Sequence, residues 1–437
     1  MARIQARVLK GFRDYLPEDM LPRHRMLQRV EKVFLAHGFA PIQTPALEYS
    51  DVLVGKYGEE GDKLLYRFED NGGRDIALRY DLTVPLARVV AQNANLALPF
   101  KRYQIAPVWR AEKPARGRFR EFMQCDADII GAAGSPAEVE ILSIGETILS
   151  SLEVGPFTIR VNHRGVFDGL AKSLSLDDDE EKAGMVRTLD KLDKIGQERV
   201  LGLLVEEIGI SAEKMPRVES FLALPKGDLD TAKDFFNDNP EGSEAIENLR
   251  ETVELIGSTG KGERLLADLS LARGLNYYTG LIYEARLDEQ PEFGSVMGGG
   301  RYDGLMDIFG APPHPAVGIS LGVDRLHAAL QEQAEKTQRT SPTEVLVVVF
   351  NREGFSAAAR LANQFREGGV AAEVFLNPKT KMGKQFRYAD RKGIPYVAVQ
   401  GSDELADGSV RLKDLQTGEE TTLLQADVCN WIKEKTA

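Results

Sequence analysis

"FKRYQIAPVWRAEKPARGRFREFMQCDADIIG", residues 100–131, reads as strand, basic loop, strand. "YQIAPVWR" is extended by composition, "AEKPARGR" holds a proline and a glycine that turn the chain, and "EFMQCDADII" returns. In such a hairpin Arg110 and Phe122 come together on paired strands, a guanidinium beside a flat ring. The guanidinium offers forked donors to phosphate oxygens and the ring a face for a purine, which suits a nucleotide site. The chain has no GxxxxGK[ST] loop and no GxGxxG after a strand, so neither a P-loop nor a dinucleotide-binding doubly wound fold is supported.

Composition bounds the surroundings of the hairpin. With 437 residues, 43% hydrophobic and 28% charged, the chain is sized for two or three globular domains, each with its own core. Cys125 and Cys429 stand far apart with no CxxC, so neither a disulfide framework nor a zinc site is indicated and a reducing cytoplasm is expected. The first twenty residues lack an apolar leader, and the longest apolar run, "VLVVVF" at 345–350, is too short to cross a bilayer, so no membrane association is expected. The formal net charge is −12, yet nucleic-acid binding depends on local patches. Seven basic residues against one acid lie between Lys101 and Arg120, and six against one between Lys379 and Lys392. Two such runs in an acidic chain point to two phosphate-bearing contacts.

The polar stretch "LQEQAEKTQRTSPTE", 330–344, marks the clearest boundary. It divides residues 1–330 from a linker at 331–342 and a second domain at 343–437. There "EVLVVVF", "GFSAAARLANQFREGG", "VAAEVFL" and "PYVAVQG" read as strand, helix, strand, strand, a small α/β domain. Within the first 330 residues, 166–258 is helical and acidic, as in "SLDDDEEKAGMVRTLDKLDKIG", with apolar residues three and four apart. On either side lie strand-like stretches: "DIALRYDL", "FTIRVNH", "SLARGLNYYTGLIYEA" and "AVGISLGVDRL". The expected class is α+β, a core interrupted by a helical insertion.

"LARGLNYYTG", 271–280, sets Arg273 four residues ahead of Tyr277 and Tyr278. A core-filling strand would use Val, Ile and Leu, because a buried guanidinium costs several kcal/mol unless paired. Arg273 is therefore either a surface residue or the holder of an anion. "ALRYDLTVPLAR", 77–88, puts Asp81 and Thr83 on one face if extended, and "GVDRL", 322–326, supplies Arg325 at the opening of an apolar helix, beyond the glycine-rich "GGGRYDGL" at 298–305. Taken singly, each arginine also reads as a surface ion-pairing residue and each tyrosine as a half-buried strand residue. The five histidines show no metal-ligand spacing and receive no role, and Cys125 reads as packing.

Jointly and in this order, these motifs resemble those of the class II aminoacyl-tRNA synthetases and, within them, the histidyl-tRNA synthetase family, over nearly the whole chain. Pro45 resembles the motif 1 proline of the dimer interface, Arg110 the motif 2 arginine and Arg325 the motif 3 arginine, while "RGLNYYTG" and "GGGRYDGL" resemble the two histidine-specific motifs. "RYDLTVP" and "REFMQCDADI" are similar to the eukaryote-like branch. The resemblance implies an antiparallel-sheet catalytic core and a C-terminal anticodon-binding α/β domain, with L-histidine, ATP and tRNA(His) as substrates, Mg2+ accompanying ATP, and a homodimer. It implies that Arg110 meets the α-phosphate and the histidine carboxylate, that Glu112 and Phe122 hold the adenine, and that Arg325 takes the γ-phosphate end. Asp81, Thr83 and Gln124 would hold the ammonium of histidine. Asp128 and Tyr278 would bracket the imidazole, with Tyr277 beside them, and Arg273 would sit against the α-phosphate. Lys381, Lys384 and Arg387 would contact tRNA phosphates. Two departures stand out: Asn276 occupies a position usually held by aspartate, and Ala115 one where a glutamine is common in bacterial members. The rivals are the regulatory subunit of ATP phosphoribosyltransferase, a non-catalytic paralogue, and a class II synthetase for another amino acid, which "RGLNYYTG" opposes.

Overall fold

The computed structural model describes residues 4–56, 61–114, 119–273, 277–333 and 341–436. The chain divides into two compact units, Met1–Arg13 with Met26–Gln333 and Asp14–Arg25 with Ala334–Ala437.

The larger unit carries strands β1 (Ala40–Pro41), β2 (Leu47–Tyr49), β3 (Arg67–Glu69), β4 (Asp75–Leu78), β5 (Phe100–Trp109), β6 (Glu121–Ile130), β7 (Phe157–His163), β8 (Leu265–Ala267), β9 (Leu281–Leu287), β10 (Ser295–Arg301) and β11 (Ala316–Gly322). Eight of them form one sheet in the order β1-β5-β6-β11-β10-β9-β7-β8. The expected hairpin is its spine: β5 and β6 pair antiparallel from Phe100 opposite Ile130 to Trp109 opposite Glu121. Antiparallel pairing runs through the six central strands, and parallel pairing of β1 with β5 and of β7 with β8 at the two edges makes the sheet mixed. The helix Ser135–Ser151 packs against this sheet, with Ile141, Leu142, Ile144, Ile148 and Leu149 fully buried at three- and four-residue spacing. Strands β2, β4 and β3 form a separate three-stranded sheet that leaves Leu47, Tyr49 and Phe68 exposed.

Between β7 and β8 the chain is helical, from Arg164–Ser173 to Pro240–Ser258. Side chains of Asp178, Asp228 and Asn239 cap three of these helices by accepting backbone N–H bonds, and Phe167, Phe221, Phe235 and Phe236 pack edge to face between them. Two local expectations fail. The stretch expected as a strand from 270 to 285 is irregular wherever it is described before Leu281, where β9 begins. Asp81 and Thr83 are not on a strand either, since Thr83 opens the helix Thr83–Gln92 and Asp81, one residue before its N-cap Leu82, accepts a bond from the Val84 N–H in the first turn at 3.1 Å.

The smaller unit holds a five-stranded sheet, β13 (Ala372–Val374), β12 (Val345–Val347), β14 (Tyr396–Val399), β15 (Ser409–Asp414) and β16 (Glu420–Leu424), parallel across its first three strands and antiparallel across the rest. Its basic run forms the helix Met382–Lys392, which turns Met382, Phe386 and Ala389 into an apolar cluster. The buried Gln385 side chain on that helix accepts from the Val349 N–H at 2.9 Å and donates to the Val349 carbonyl at 2.7 Å, satisfying backbone groups two residues past the end of β12.

Candidate active site

A cavity of about 380 Å³ opens over β6, β11 and β10 of the larger unit. Its walls include Asp81, Thr83, Arg110, Glu112, Phe122 and Gln124, and also Asp128, Arg273, Tyr277, Tyr278 and Arg325. Eleven side chains scattered from residue 81 to residue 325 thus meet in one place. Asn276 and Ala115 lie outside the described residues.

Glycines make the floor. A Cβ on Gly298 of β10 would collide with the Arg273 guanidinium, and one on Gly318 of β11 would collide with the Asp128 carboxylate, which lies across it from the paired position on β6. Glycine in a strand interior weakens the strand, and here it is what lets charged groups lie flat on the sheet. Arg273 rests over this floor with its Nη1 3.3 Å from the Tyr283 carbonyl and 3.7 Å from Glu284 Oε2. Its Nε is buried without a hydrogen-bond partner among the described residues. The side chain is placed more by shape and charge than by hydrogen bonds.

Asp128 is anchored from below. Arg102, fully buried on β5 directly opposite it, gives an ion pair of 2.6 Å to Oδ2, and the Tyr302 hydroxyl donates to Oδ1. This corrects the reading of residues 101–120 as one basic patch. Arg102 belongs to the core, Lys101 pairs with Glu140 at 2.7 Å, and Arg120 donates to the backbone carbonyls of Glu112 and Lys10. Two residues before Asp128 on the same face of β6, Asp126 also lines the cavity, with Gln124 Nε2 3.4 Å away. Burial pushes the Asp126 carboxyl up to about 7, with Asp128 and Asp81 adding to the rise and Arg102 and Ser320 opposing it.

At the other end, the Arg110 guanidinium lies 5.0 Å from the centre of the Phe122 ring and 4.3 Å from that of Tyr80, as the hairpin register predicts for the first pair. Arg325, on the first turn of the helix Val323–Gln333, donates to the Ser295 carbonyl at 2.6 Å. Asp324 beside it pairs at 2.9 Å with Arg13, whose guanidinium sits 3.9 Å from the Phe119 ring centre. Cys125 is buried, and burial raises its thiol well above the ordinary range, as packing requires.

Sequence reasoning missed Tyr80, Asp126, Tyr302 and Ser320, all of which line the cavity, and Arg102 beneath it. Asp126 was within reach, because strand alternation through Gln124 and Asp128 puts it on their face. Tyr302 and Ser320 come from strands or turns whose register only the folded sheet reveals. Lys381, Lys384 and Arg387 lie in the smaller unit, exposed along the helix Met382–Lys392 and its N-terminal boundary. Among the described residues, no three His, Cys, Asp or Glu side chains group as a metal site, and no helix is long and apolar enough to cross a membrane.

The chain is similar to proteins of one kind. A family profile described as histidyl-tRNA synthetase matches residues 11–326, and one described as an anticodon binding domain matches residues 344–435. The histidine--tRNA ligase of Rhodopirellula baltica is 43% identical over 422 residues, 95% of each chain, and that of Aeropyrum pernix is 41% identical over 426 residues, 96% of each chain. The crystal structure of histidyl-tRNA synthetase from Nostoc sp. PCC 7120 is 32% identical, with a TM-score of 0.88 over 99% of this chain and 100% of its own. The expected closeness to a eukaryote-like branch is not supported, because the similar histidine--tRNA ligases include those of the bacteria Rhodopirellula baltica, Wolinella succinogenes, Treponema denticola and Helicobacter pylori, with that of Aeropyrum pernix beside them. A cavity that gathers the motif residues, a family profile spanning the larger unit and relatives aligned over almost all of the chain lead to one conclusion: this chain belongs to the histidyl-tRNA synthetase family.

Proposed function

We propose that this chain ligates L-histidine to the 3′ end of tRNA(His) at the expense of ATP, through a histidyl-adenylate. The observation that carries the reading is the convergence of three guanidiniums, Arg110, Arg273 and Arg325, with the acids Asp81 and Asp128 in one cavity. Phosphates need the first set, and a substrate with an ammonium and an N–H donor needs the second. In this reading Arg110 spans the α-phosphate and the histidine carboxylate, Phe122 and Glu112 hold the adenine, and Arg325 takes the γ-phosphate end. The ammonium sits among Asp81, Thr83 and Gln124. Asp128 accepts from one imidazole nitrogen while Tyr278 addresses the other, and Tyr277 closes the same wall. A carboxylate oxygen of histidine attacks the α-phosphorus, pyrophosphate leaves, and Arg273 offsets the negative charge that builds on the phosphoryl oxygens. In the second step the terminal adenosine hydroxyl of tRNA attacks the acyl carbon and releases AMP.

Mg2+ would accompany ATP as part of the substrate and would screen the charge of its phosphates. The proposed organisation is a catalytic domain at 1–330 with an insertion at 166–258, a linker at 331–342 and an anticodon-binding domain at 343–437, in which Lys381, Lys384 and Arg387 meet tRNA phosphates. The exposed apolar side chains Leu47, Tyr49 and Phe68 lie near Pro45 and support a homodimer through that face. The place of work is the cytoplasm, where tRNA is charged. Histidine-dependent exchange of pyrophosphate into ATP, run across the twenty amino acids, tests the reading. Exchange with histidine alone is expected; binding of histidine without exchange would mark a regulatory paralogue, and exchange with another amino acid would reassign the pocket.

A further inference from the structure

Arg273 is tied to the helical insertion by a chain of shared charges. Glu284 on β9 faces Arg160 on β7 across the sheet, with Arg286 two residues along on its own face. One carboxylate oxygen, Oε1, lies 2.7 Å from Arg286 Nε and 3.6 Å from Arg160 Nη2, while the other, Oε2, is the one that faces Arg273 at 3.7 Å. Both flanking arginines share a single oxygen of Asp193, at 2.9 Å from Arg160 and 2.7 Å from Arg286. Asp193 belongs to the short helix Leu192–Ile195 of the insertion.

Isolated exposed ion pairs contribute little, but this one is not isolated. The side chains of Arg160 and Glu284 are only 11% and 13% exposed, and Asp268, at 1%, holds the other face of Arg160 at 3.1 Å. Asp193 is the carboxylate that meets Arg286 besides Glu284, and it shares Arg160 with Asp268. Without it, Arg286 would be left with Glu284 alone and Arg160 with Asp268 and Glu284, and their pull would draw the free oxygen of Glu284 away from Arg273. Tyr278 meets Arg273 from one side through its hydroxyl and ring, and Glu284 is the carboxylate that draws the guanidinium from the other.

We propose that Asp193 is a positioning residue for adenylate formation, keeping Glu284 free to aim Arg273 at the reacting phosphate. The inference rests on the reading that Arg273 works at the α-phosphate. The test is pyrophosphate exchange by the full-length protein with Asp193→Asn, Glu284→Gln and the double variant, alongside thermal unfolding. Asp193→Asn is expected to lower kcat about tenfold, the scale of a small misplacement of a catalytic group, with KM for histidine and the unfolding midpoint unchanged. Asp193→Glu, which keeps the charge, is expected to recover most of the rate. The double variant is expected to be no slower than Glu284→Gln alone, because both changes break one chain. Wild-type exchange by Asp193→Asn, a rate loss matched by lost stability, or losses that multiply in the double variant would each overturn the proposal. Failure of the wild type to exchange with histidine would instead remove the underlying reading.

Discussion

Arg273 and Arg110 both face the cavity, but their supports differ. Arg110 is wedged between the rings of Tyr80 and Phe122 and donates to the Tyr80 carbonyl at 3.2 Å, whereas Arg273 lies on a glycine floor beside Tyr278, with a long bond to the Tyr283 carbonyl and one carboxylate 3.7 Å away. Arg273→Ala is expected to lower histidine-dependent exchange by about 10²–10³-fold, as for the loss of one preorganised donor to a developing anion. Its far-ultraviolet circular dichroism should match the wild type. Arg273→Lys should recover little, since an ammonium cannot reproduce the planar fork. Asp126 gives a prediction in pH. Its folded-state carboxyl sits near 7 because of burial and its acidic neighbours, against an ordinary value near 3.9. A raised carboxyl favours folding at low pH and loses that contribution as pH rises through the folded value. The stability of the wild type relative to Asp126→Asn should therefore fall between about pH 4 and pH 7 and level off above. Parallel unfolding curves for the two proteins across that window would contradict it.

Strands were readable where composition and alternation agreed. The ribbon of β5 and β6 and the strand β7 stand where "YQIAPVWR", "EFMQCDADII" and "FTIRVNH" put them, because apolar and β-branched residues bounded by turn formers leave few alternatives. Reading failed where side chains serve a site rather than a core. Residues 271–273 and 277–280 look strand-like by their tyrosines yet run irregularly into β9, and Asp81 looks like a strand residue yet accepts from the first turn of a helix. The run at 379–392 looked like bare charge, although Met382, Phe386 and Ala389 carry the spacing of a helix face. That helix yields a prediction. With Lys381, Lys384 and Arg387 exposed along it, replacing all three by Ala should weaken tRNA binding most at low salt and flatten the slope of log K against log salt by roughly 2–3. Preference among tRNAs should be unchanged, because phosphate contacts do not read sequence; filter binding across a salt series measures both.

For the molecule as a whole, the mixed α and β class was legible, the grouping of Asp14–Arg25 with Ala334–Ala437 was not, and the electrostatic design of the pocket was only partly so. Motif order along the chain reveals a family, but it cannot reveal that Arg102, counted among seven basic residues, is wholly buried under Asp128. Pairing across strands is a property of register. The proposed homodimer belongs to this scale too. An obligate interface of this kind buries more than ~2,000 Å² in total, so sedimentation should find a dimer at nanomolar concentrations, and Leu47→Asp with Phe68→Asp should release monomers with little exchange activity. An active monomer would count against it. The glycine floor beneath the cavity has, finally, a heritable side. Single-base changes in a glycine codon lead to alanine, valine, serine, arginine or an acid, among others, and at Gly298 and Gly318 each of these adds a Cβ where a guanidinium or a carboxylate already lies. Only silent changes leave those two positions as they are, so the floor should be among the places where single-base mutation of this gene is least forgiving, at two positions that offer a substrate no side chain at all.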